Sequence, residues 1–178
     1  MRFTLLPLSI SLILLAGCNS GPTPEQLAAE ADTQRQANRE LVERYVNQVV
    51  NNLDFTGLED MLTEDFHMNG NTNGNRDGIP GLMTNAVTQW RAAMPDFHMS
   101  IDSIDAGLDM VGIQNRATGT HENLVDQGFL AGVEPSGKTC EWRGTEFFLI
   151  RDGKLAEARI TQNILERDSC FGLVERVE

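Results

Sequence analysis

The chain has 178 residues and carries 26 acidic against 14 basic side chains, which gives a formal net charge of −12. A negative surplus of this size disfavours binding to nucleic acid or to anionic lipid headgroups, so neither is expected as a partner. After the N-terminal segment described next, about 155 residues remain, enough for one domain with one core.

Residues 1–17 are predicted to be a secretory signal rather than part of the fold. Arg2 supplies the positive start, and an apolar stretch follows from Phe3 to Ala16. This stretch is too short and too interrupted to span a bilayer. The mature chain is therefore expected to work in the cell envelope.

The segment Leu15-Ala16-Gly17-Cys18 resembles a bacterial lipobox. The resemblance implies cleavage before Cys18 and lipidation of its thiol; an ordinary secreted protein is the alternative. Asn19 stands where Asp would retain a lipoprotein at the inner membrane, so the periplasmic face of the outer membrane is the expected location. Residues 18–35 would then be the lipidated cysteine and tether, and residues 36–178 the folded domain.

Two cysteines remain besides Cys18, and both lie near the C-terminal hairpin. Cys140 opens its first arm and Cys170 lies just beyond its second arm. In an oxidising compartment such a pair predicts a disulfide, with two separate thiols as the alternative.

The first half of the domain is predicted to be mainly helical. Apolar residues recur at three- and four-residue spacing within Glu25–Leu53, which is typical of an amphipathic helix, with Asn38 and Asn51 on its polar face. Asp54 is the expected N-cap of a short helix over residues 55–62. A short strand over residues 65–70 and a mobile loop over residues 69–78 follow. A third helix spans residues 79–94, and Pro95 ends it.

The second half is predicted to form strands. Residues 97–104 and 110–121 alternate in polarity, and residues 123–137 form a long loop. Residues 140–163 form a hairpin about Asp152-Gly153, since Asp-Gly between apolar runs is a strong hairpin signal. Helices followed by antiparallel strands indicate an α+β fold.

At this point the chain resembles the SnoaL-like polyketide cyclases, within the nuclear-transport-factor-2-like superfamily. The match extends over roughly residues 38–172, and no single motif carries it. Its pieces are Leu53-Asp54-Phe55, Thr63-Glu64-Asp65-Phe66, Pro95-Asp96-Phe97, Gly119-Thr120-His121, the Gly132–Gly137 turn and Asp152-Gly153-Lys154-Leu155 with Phe148.

The resemblance implies a cone-shaped barrel, in which a curved, mostly antiparallel sheet wraps around N-terminal helices and leaves a pocket. It also implies acid/base chemistry on a small molecule without a metal or organic cofactor. The family's catalytic Asp on the last strand matches Asn163 here, and an amide cannot accept a proton. Arg159 replaces a Trp that is common on the same strand.

Strand alternation groups the candidate pocket residues by face. If Asn163 faces the pocket, so do Arg159 and Thr161, and Arg159 would then pair with Glu146 or with the ligand. An Arg159 on the outside of the sheet is the alternative. The inward set expected on the strand before residue 121 is His121, Gly119, Ala117 and Asn115. On the hairpin's first arm, the resemblance favours an inward set of Trp142, Glu146 and Phe148, and the opposite face remains the alternative.

His121 is the expected acid or base, since the ordinary pKa of histidine lies near neutrality. A histidine that caps a strand end or hydrogen-bonds loop backbone is the alternative. His67 and Trp90 are further ligand-binding candidates, whereas His98 is expected on the surface or in packing. The three histidines lack metal-ligand spacing, so no metal site is predicted.

Three functions remain open at this stage. The first is a membrane-anchored, cofactor-free enzyme of the cyclase or isomerase kind that uses His121 and Asn163. The second is a lipoprotein that binds an apolar or aromatic small molecule without catalysis, which the amide at position 163 favours. The third is a structural domain that forms a homodimer through its sheet.

Overall fold

The computed structural model describes residues 21–70, 74–78 and 89–174. The signal sequence, Cys18 and residues 79–88 of the third predicted helix lie outside these ranges. Within the described residues, no helix combines the length and apolar character that crossing a membrane requires.

The first helix, α1, spans Pro24–Arg44 and continues as a π-helical segment over Tyr45–Asn51. Thr23 begins it with a capping box: its Oγ1 accepts from the backbone N–H of Gln26 at 3.2 Å, and the Gln26 side chain accepts from Thr23 N–H at 2.8 Å. The predicted helix is confirmed, although its last two turns are π-helical. The predicted apolar stripe is buried at Leu41, Val42, Tyr45, Val46, Val49 and Val50.

The second helix, α2, is a single turn over Leu58–Met61. The prediction that Asp54 caps it is wrong. The Asp54 carboxylate instead accepts from the backbone N–H of Thr56 at 3.0 Å, which closes a turn ahead of the helix. Gly57 then enters the helix with a φ of 67°, a left-handed conformation that glycine tolerates best.

In the described part of the chain, six strands form one sheet in the order β2-β1-β6-β5-β4-β3. The strands are β1 Leu62–Gly70, β2 Gly74–Asp77, β3 His98–Ala106, β4 Met110–Thr120, β5 Thr139–Arg151 and β6 Lys154–Gln162. Among these strands, β1 and β6 pair in parallel and the other neighbours pair antiparallel. The α+β prediction is therefore confirmed. The prediction of a loop is wrong for residues 74–77, which pair with β1.

The predicted hairpin is confirmed in β5 and β6. Its turn places Asp152 and Gly153 at φ values of 53° and 73°. Two consecutive positive φ values are what the favoured two-residue hairpin turns require, and Asp-Gly supplies them readily. A register shift between Leu149 and Ile150 interrupts the pairing of the two strands.

Two further helical pieces complete the described chain. Residues 89–93 are the described part of a third helix, α3, and Ile164–Cys170 form α4. The helix α4 was not predicted; it begins at Asn163, whose side chain accepts from Glu166 N–H at 3.2 Å. The predicted disulfide between Cys140 and Cys170 is confirmed, and it ties α4 to β5.

Two asparagines fasten the first helix to the sheet. The Asn38 amide donates to the backbone carbonyls of Gly107 and Leu108, each at 2.9 Å. The Asn51 side chain donates to Met99 O at 2.9 Å and accepts from Met99 N–H at 2.8 Å. Both side chains are buried, although their positions on the polar face of the helix predicted exposure. These bonds hold the π segment over the inner face of the sheet.

Candidate active site

The inner face of the sheet carries the side chains that the alternation of β4 and β5 predicts. Asn115, Ala117 and His121 are buried on or just beyond β4, and Trp142, Glu146 and Phe148 are buried on β5. The open choice between the two faces of β5 is therefore settled in favour of the set that contains Glu146.

A cavity of about 50 Å³ lies between this face and the π segment. Its wall is mainly apolar, with polar groups from the helix and three strands. The lining residues are Tyr45, Val50, Met68, Trp90, Phe97, Met99, Asn115, Ala117, Trp142, Glu146, Ile160 and Gln162.

Glu146 is the ionisable group with the most unusual environment in the cavity. Its side chain is only 4% exposed, and its Oε1 accepts a hydrogen bond of 2.9 Å from the Asn115 amide. Burial raises the pKa of this carboxyl to about 7, although the bond from Asn115 acts in the opposite direction. Near neutral pH the group therefore exists in both protonation states.

The π segment brings Tyr45 and Val50 to the cavity. Burial raises the pKa of the Tyr45 hydroxyl well above its ordinary value, and the nearby Glu146 carboxylate raises it further. The phenol therefore stays protonated across the physiological range. Single π turns inside α-helices are frequently found at functional sites, and this one places a hydroxyl beside the buried carboxyl.

Aromatic rings and Met94 fill much of the space beside the small inward residues of β4. Trp90 lies 5.1 Å from Trp142 and 6.1 Å from Phe97, measured between ring centroids. At Gly119 an added Cβ would lie 2.9 Å from Met94 Sδ, so Met94 occupies the room beside this glycine. A volume of about 50 Å³ accommodates a few waters or a molecule of a few heavy atoms. A larger ligand requires the wall to move.

The outward face of β6 carries three of the predicted site residues. Arg159 is 57% exposed and pairs with Glu157 at 2.8 Å, so the expected pair with Glu146 is not formed. Asn163 caps α4, and with Thr161 it lines an open groove on the outer side of the sheet. The prediction that Arg159, Thr161 and Asn163 face the cavity is therefore wrong. They do share one face, but that face is the outer one.

The remaining predicted site residues also divide into those that line the cavity and those that do not. Trp90 lines the cavity, whereas Phe148 packs behind it, edge-on to Tyr45 with 5.7 Å between ring centroids. His67 does not line the cavity; its Nε2 lies 2.8 Å from Asn69 Oδ1. His98 is exposed, as expected. Among the described residues, no group of three or more His, Cys, Asp or Glu side chains is placed to hold a metal ion.

His121 is fully buried but is not among the residues that line the cavity. Its backbone pairs with the loop before β5, through Lys138 O at 3.1 Å and Gly137 N–H at 2.9 Å. Its ring lies edge-on to Phe171 at 5.6 Å, and neither ring nitrogen has a hydrogen-bond partner among the described residues. This placement favours packing as the role of the ring. The hydrogen bonds to loop backbone that the alternative to catalysis implied are made by the backbone of His121 and not by its ring.

Replacing His121 by leucine is therefore expected to leave the free energy of unfolding unchanged or to raise it by about 1 kcal/mol. The substitution removes two buried polar atoms that gain no compensating bond in the fold. Urea unfolding of the two proteins measures the difference. A loss of more than about 2 kcal/mol would show that the ring makes a stabilising polar contact.

Sequence reasoning missed Tyr45 and Gln162 as cavity residues. Tyr45 lies in the predicted apolar stripe of the first helix, and such a stripe does not distinguish a core residue from a cavity residue. Gln162 lies on the inward face of β6, next to Asn163. The sequence Asn163-x-x-Glu166 is a helix-start signal that would have ended the strand one residue earlier. It would have removed Asn163 from the strand, but it does not identify the face of Gln162 as the inward one.

Helices on the inner face of a curved, mostly antiparallel sheet, with a small cavity between them, define the nuclear-transport-factor-2-like class of fold. The chain belongs to the SnoaL-like polyketide cyclase family, whose model matches residues 40–166. No protein of curated function matches the chain.

Several solved structures share the fold. A protein from Jannaschia sp. CCS1, provisionally named a SnoaL-like polyketide cyclase, is 18% identical; the match covers 88% of this chain and 99% of that one, with a TM-score of 0.68. AclR from Streptomyces galilaeus, provisionally named a hydroxylase, is 23% identical over 81% and 90% of the two chains, with a TM-score of 0.65. A phenazine biosynthesis-related protein from Pseudomonas aeruginosa is 17% identical over 85% and 96%, with a TM-score of 0.62. At these identities the likeness concerns the fold alone.

Proposed function

We propose that this chain is a lipid-anchored envelope protein that binds a small apolar or aromatic molecule in the cavity and moves a proton on it with Glu146. The reaction is of the cyclase or isomerase kind and needs no cofactor. The observation that carries the proposal is the buried carboxyl of Glu146, which has a pKa of about 7 in a mainly apolar cavity.

A carboxyl with this pKa suits general acid–base catalysis at neutral pH. The deprotonated form takes a proton from an acidic C–H of the ligand, and the protonated form returns it to another atom. The Asn115 amide holds one carboxyl oxygen at 2.9 Å, which orients the group towards the cavity. Glu146 thus takes the role that the family resemblance had led us to expect at Asn163.

The lipid anchor on Cys18 remains part of the proposal. Five residues lie between Cys18 and the start of α1 at Pro24, so the chain reaches at most about 20 Å from one to the other. Residues 24–30 and 32–37 of α1 are exposed, so this part of the helix extends away from the packed domain. An anchored chain would therefore hold its cavity away from the membrane on a helical stalk.

A second candidate is binding without catalysis, which the amide of Asn163 at the family's catalytic position favours. For either function, a cavity of about 50 Å³ suits a ligand of a few heavy atoms, since typical sites for larger organic ligands measure several hundred Å³. A homodimer is compatible with either function. Phe147 and Met110, each 43% exposed, give the outer face of the sheet an apolar patch through which two copies would associate. Sedimentation equilibrium of the purified protein would measure that association.

The test begins with native mass spectrometry of the full-length protein purified from its own host, which identifies any co-purifying small molecule. That molecule is then incubated in D₂O with the wild type and with Glu146→Gln, and deuterium incorporation at carbon is followed. The glutamine keeps the shape and can accept from Asn115, but it cannot act as a base. We expect the exchange rate to fall by a factor of about 10² or more.

Asn163→Asp is the matched control, because it preserves the cap of α4 while placing a carboxylate at the position that the family resemblance highlights. Its exchange rate is expected to equal that of the wild type. Unchanged exchange in Glu146→Gln would reject Glu146 as the base. Tight binding without exchange in the wild type would establish the non-catalytic candidate instead.

A further inference from the structure

Phe171, the residue that follows α4, packs against the aromatic part of the cavity wall. Its side chain is buried. Its ring centroid lies 5.9 Å from that of Trp142 and 6.2 Å from that of Trp90, and both tryptophans line the cavity. Phe129 and His121 lie on its other sides, with ring centroids at 6.3 Å and 5.6 Å. Phe171 therefore fills a site that is shaped for one aromatic ring.

The position of this ring limits the room in the cavity. The present volume of about 50 Å³ accommodates only a few heavy atoms. A large side chain that leaves a packed core opens a cavity there, because the surrounding residues relax only in part. A cavity lined by apolar side chains stays dry and can take up an aromatic molecule in place of the lost ring. Displacement of Phe171 would create such a space against Trp90 and Trp142.

The helix before this ring is short and is held to the sheet at three points. It has seven residues, and helices of this length are unstable in water without other support. At its start, Asn163 N–H donates to Arg143 O at 2.8 Å. In its middle, Arg167 donates to Gln162 Oε1 at 2.9 Å. At its end, next to Phe171, the disulfide joins α4 to β5. The covalent bond is thus the attachment that lies nearest to the ring.

The two sulfurs of this disulfide differ in exposure. Cys140 is fully buried, whereas Cys170 is partly exposed. Disulfides are reduced by attack of a thiolate on one of the two sulfur atoms, so access decides which sulfur reacts. An external thiolate reaches Sγ of Cys170, and Cys140 is then the leaving group.

We propose that the disulfide between Cys140 and Cys170 is a redox switch for an aromatic subsite of the cavity. When an external dithiol reduces the bond, the end of α4 is released and Phe171 moves out of its site. An aromatic ring of the ligand then takes its place against Trp90 and Trp142. In the oxidised protein the subsite is filled by the protein's own ring. The inference rests on the small-molecule binding of the proposed function.

The reduction itself balances as a thiol–disulfide exchange. One thiolate of the dithiol attacks Sγ of Cys170, the S–S bond breaks, and Cys140 leaves as a thiolate that takes up a proton. The second thiol of the reductant attacks the mixed disulfide and releases Cys170. Two electrons and two protons pass from the dithiol, which becomes a disulfide, to the two cysteines of the protein.

Toluene is the probe, because it has the chemical structure of a phenylalanine side chain. Full-length protein is titrated with toluene at neutral pH, with and without excess dithiothreitol, and binding is measured by calorimetry. The chain has two tryptophans, Trp90 and Trp142, so tryptophan fluorescence reports directly on the subsite. We expect reduction to raise the affinity for toluene at least about tenfold. A closed state that leaves about 10% or less of the protein open lowers the apparent affinity by this factor.

Two variants open the subsite by different routes. Phe171→Ala removes the ring and keeps the disulfide; it is expected to bind toluene without reductant, and reduction should change its affinity less than about twofold. Cys140→Ser combined with Cys170→Ser is expected to bind toluene as the reduced wild type does, with or without reductant. Leu173→Ala is the matched control, because it shortens a side chain of the same segment that is already 41% exposed. Its affinity should equal that of the wild type in both redox states.

Several outcomes would overturn the proposal. Equal affinity of the oxidised and the reduced wild type rejects the switch. A full effect of reductant in Phe171→Ala also rejects it, because the disulfide would then act at another place. Failure of Phe171→Ala to bind toluene rejects the subsite. Far-UV circular dichroism of the reduced wild type checks the fold: loss of the sheet signal on reduction would show that the bond supports the whole domain and is no switch.

The measurements also distinguish this inference from the proposed function. Toluene offers no acidic C–H, so its binding does not report on Glu146 as a base. Redox-dependent binding of toluene, together with unchanged deuterium exchange in Glu146→Gln, supports the switch and rejects the base. Exchange that depends on Glu146, together with equal affinity for toluene in the two redox states, supports the base and rejects the switch.

Discussion

Wild-type protein is expected to lose about 3 kcal/mol of its free energy of unfolding between pH 4 and pH 8 through Glu146 alone. The folded state raises the pKa of this carboxyl from 4.5 to about 7, because burial disfavours the charged form. Between these two values the folded state binds more protons than the unfolded state. Stability from this group is therefore fully present below pH 4.5 and is lost as the pH rises to about 7.

Urea unfolding of the wild type and of Glu146→Gln at several pH values from 4 to 8 measures this loss. The variant has no titrating group at the site, so the difference between the two curves isolates Glu146. The pKa values of Asp54, Asp65, Asp96 and Glu157 are lowered by hydrogen bonds, and these groups lose their stabilising effect as the pH falls. They are present in both proteins and cancel. Parallel curves would mean that the carboxyl ionises in the fold as easily as in water.

The cost of burying Glu146 also bears on function. A glutamine or a leucine at this position of β5 would avoid the loss of stability at neutral pH, so the carboxyl is unfavourable for the fold alone. Perturbed groups of this kind cluster at functional sites. The tyrosine hydroxyl on the π segment and the amides of Asn115 and Gln162 surround it with polar atoms in a mainly apolar wall.

Strand alternation grouped the residues of β4 and β5 by face, but on β5 only the family resemblance indicated which face is inward. Trp142, Glu146 and Phe148 are buried together, as that resemblance implied. The same reasoning did not predict the inward face of strand β6. Both of its faces carry polar side chains, so composition does not tell which face is inward. The choice of Asn163 depended on a family position counted along a strand that ends, in the fold, at Gln162.

The burial of the charged Arg167 side chain was also not predictable from the sequence. An arginine five residues beyond a strand end looks like a surface residue of a tail, and Arg167 is instead buried against Phe129. Its position depends on α4 folding back onto β5, which is a tertiary contact fixed by the disulfide. Likewise, His121 was a reasonable acid or base by residue type, but its position at the end of β4 places it in packing contact with Phe171 rather than in the cavity.

Replacing both Cys140 and Cys170 by serine is expected to lower the free energy of unfolding by about 3 to 4 kcal/mol. The disulfide closes a loop with a sequence separation of 30 residues, and its removal lets the unfolded chain regain the conformations that the closed loop excludes. Denaturant unfolding of the wild type and the variant under oxidising conditions measures the loss. The wild type in excess reductant should match the variant, which itself should not respond to reductant.

We expect removal of the disulfide to destabilise α4 first, and therefore the cavity wall that α4 contacts. The bond at Cys170 lies one residue before Phe171, whose ring packs 5.9 Å from Trp142 in the cavity wall, and three residues after Arg167. Without it, backbone amides of α4 are expected to exchange with solvent before those of β4 and β5 do. Hydrogen exchange of the two proteins under native conditions tests this order. Uniform loss of protection across the sheet and α4 would show instead that α4 and the sheet open as one unit, and that the disulfide stabilises the whole domain rather than α4 in particular.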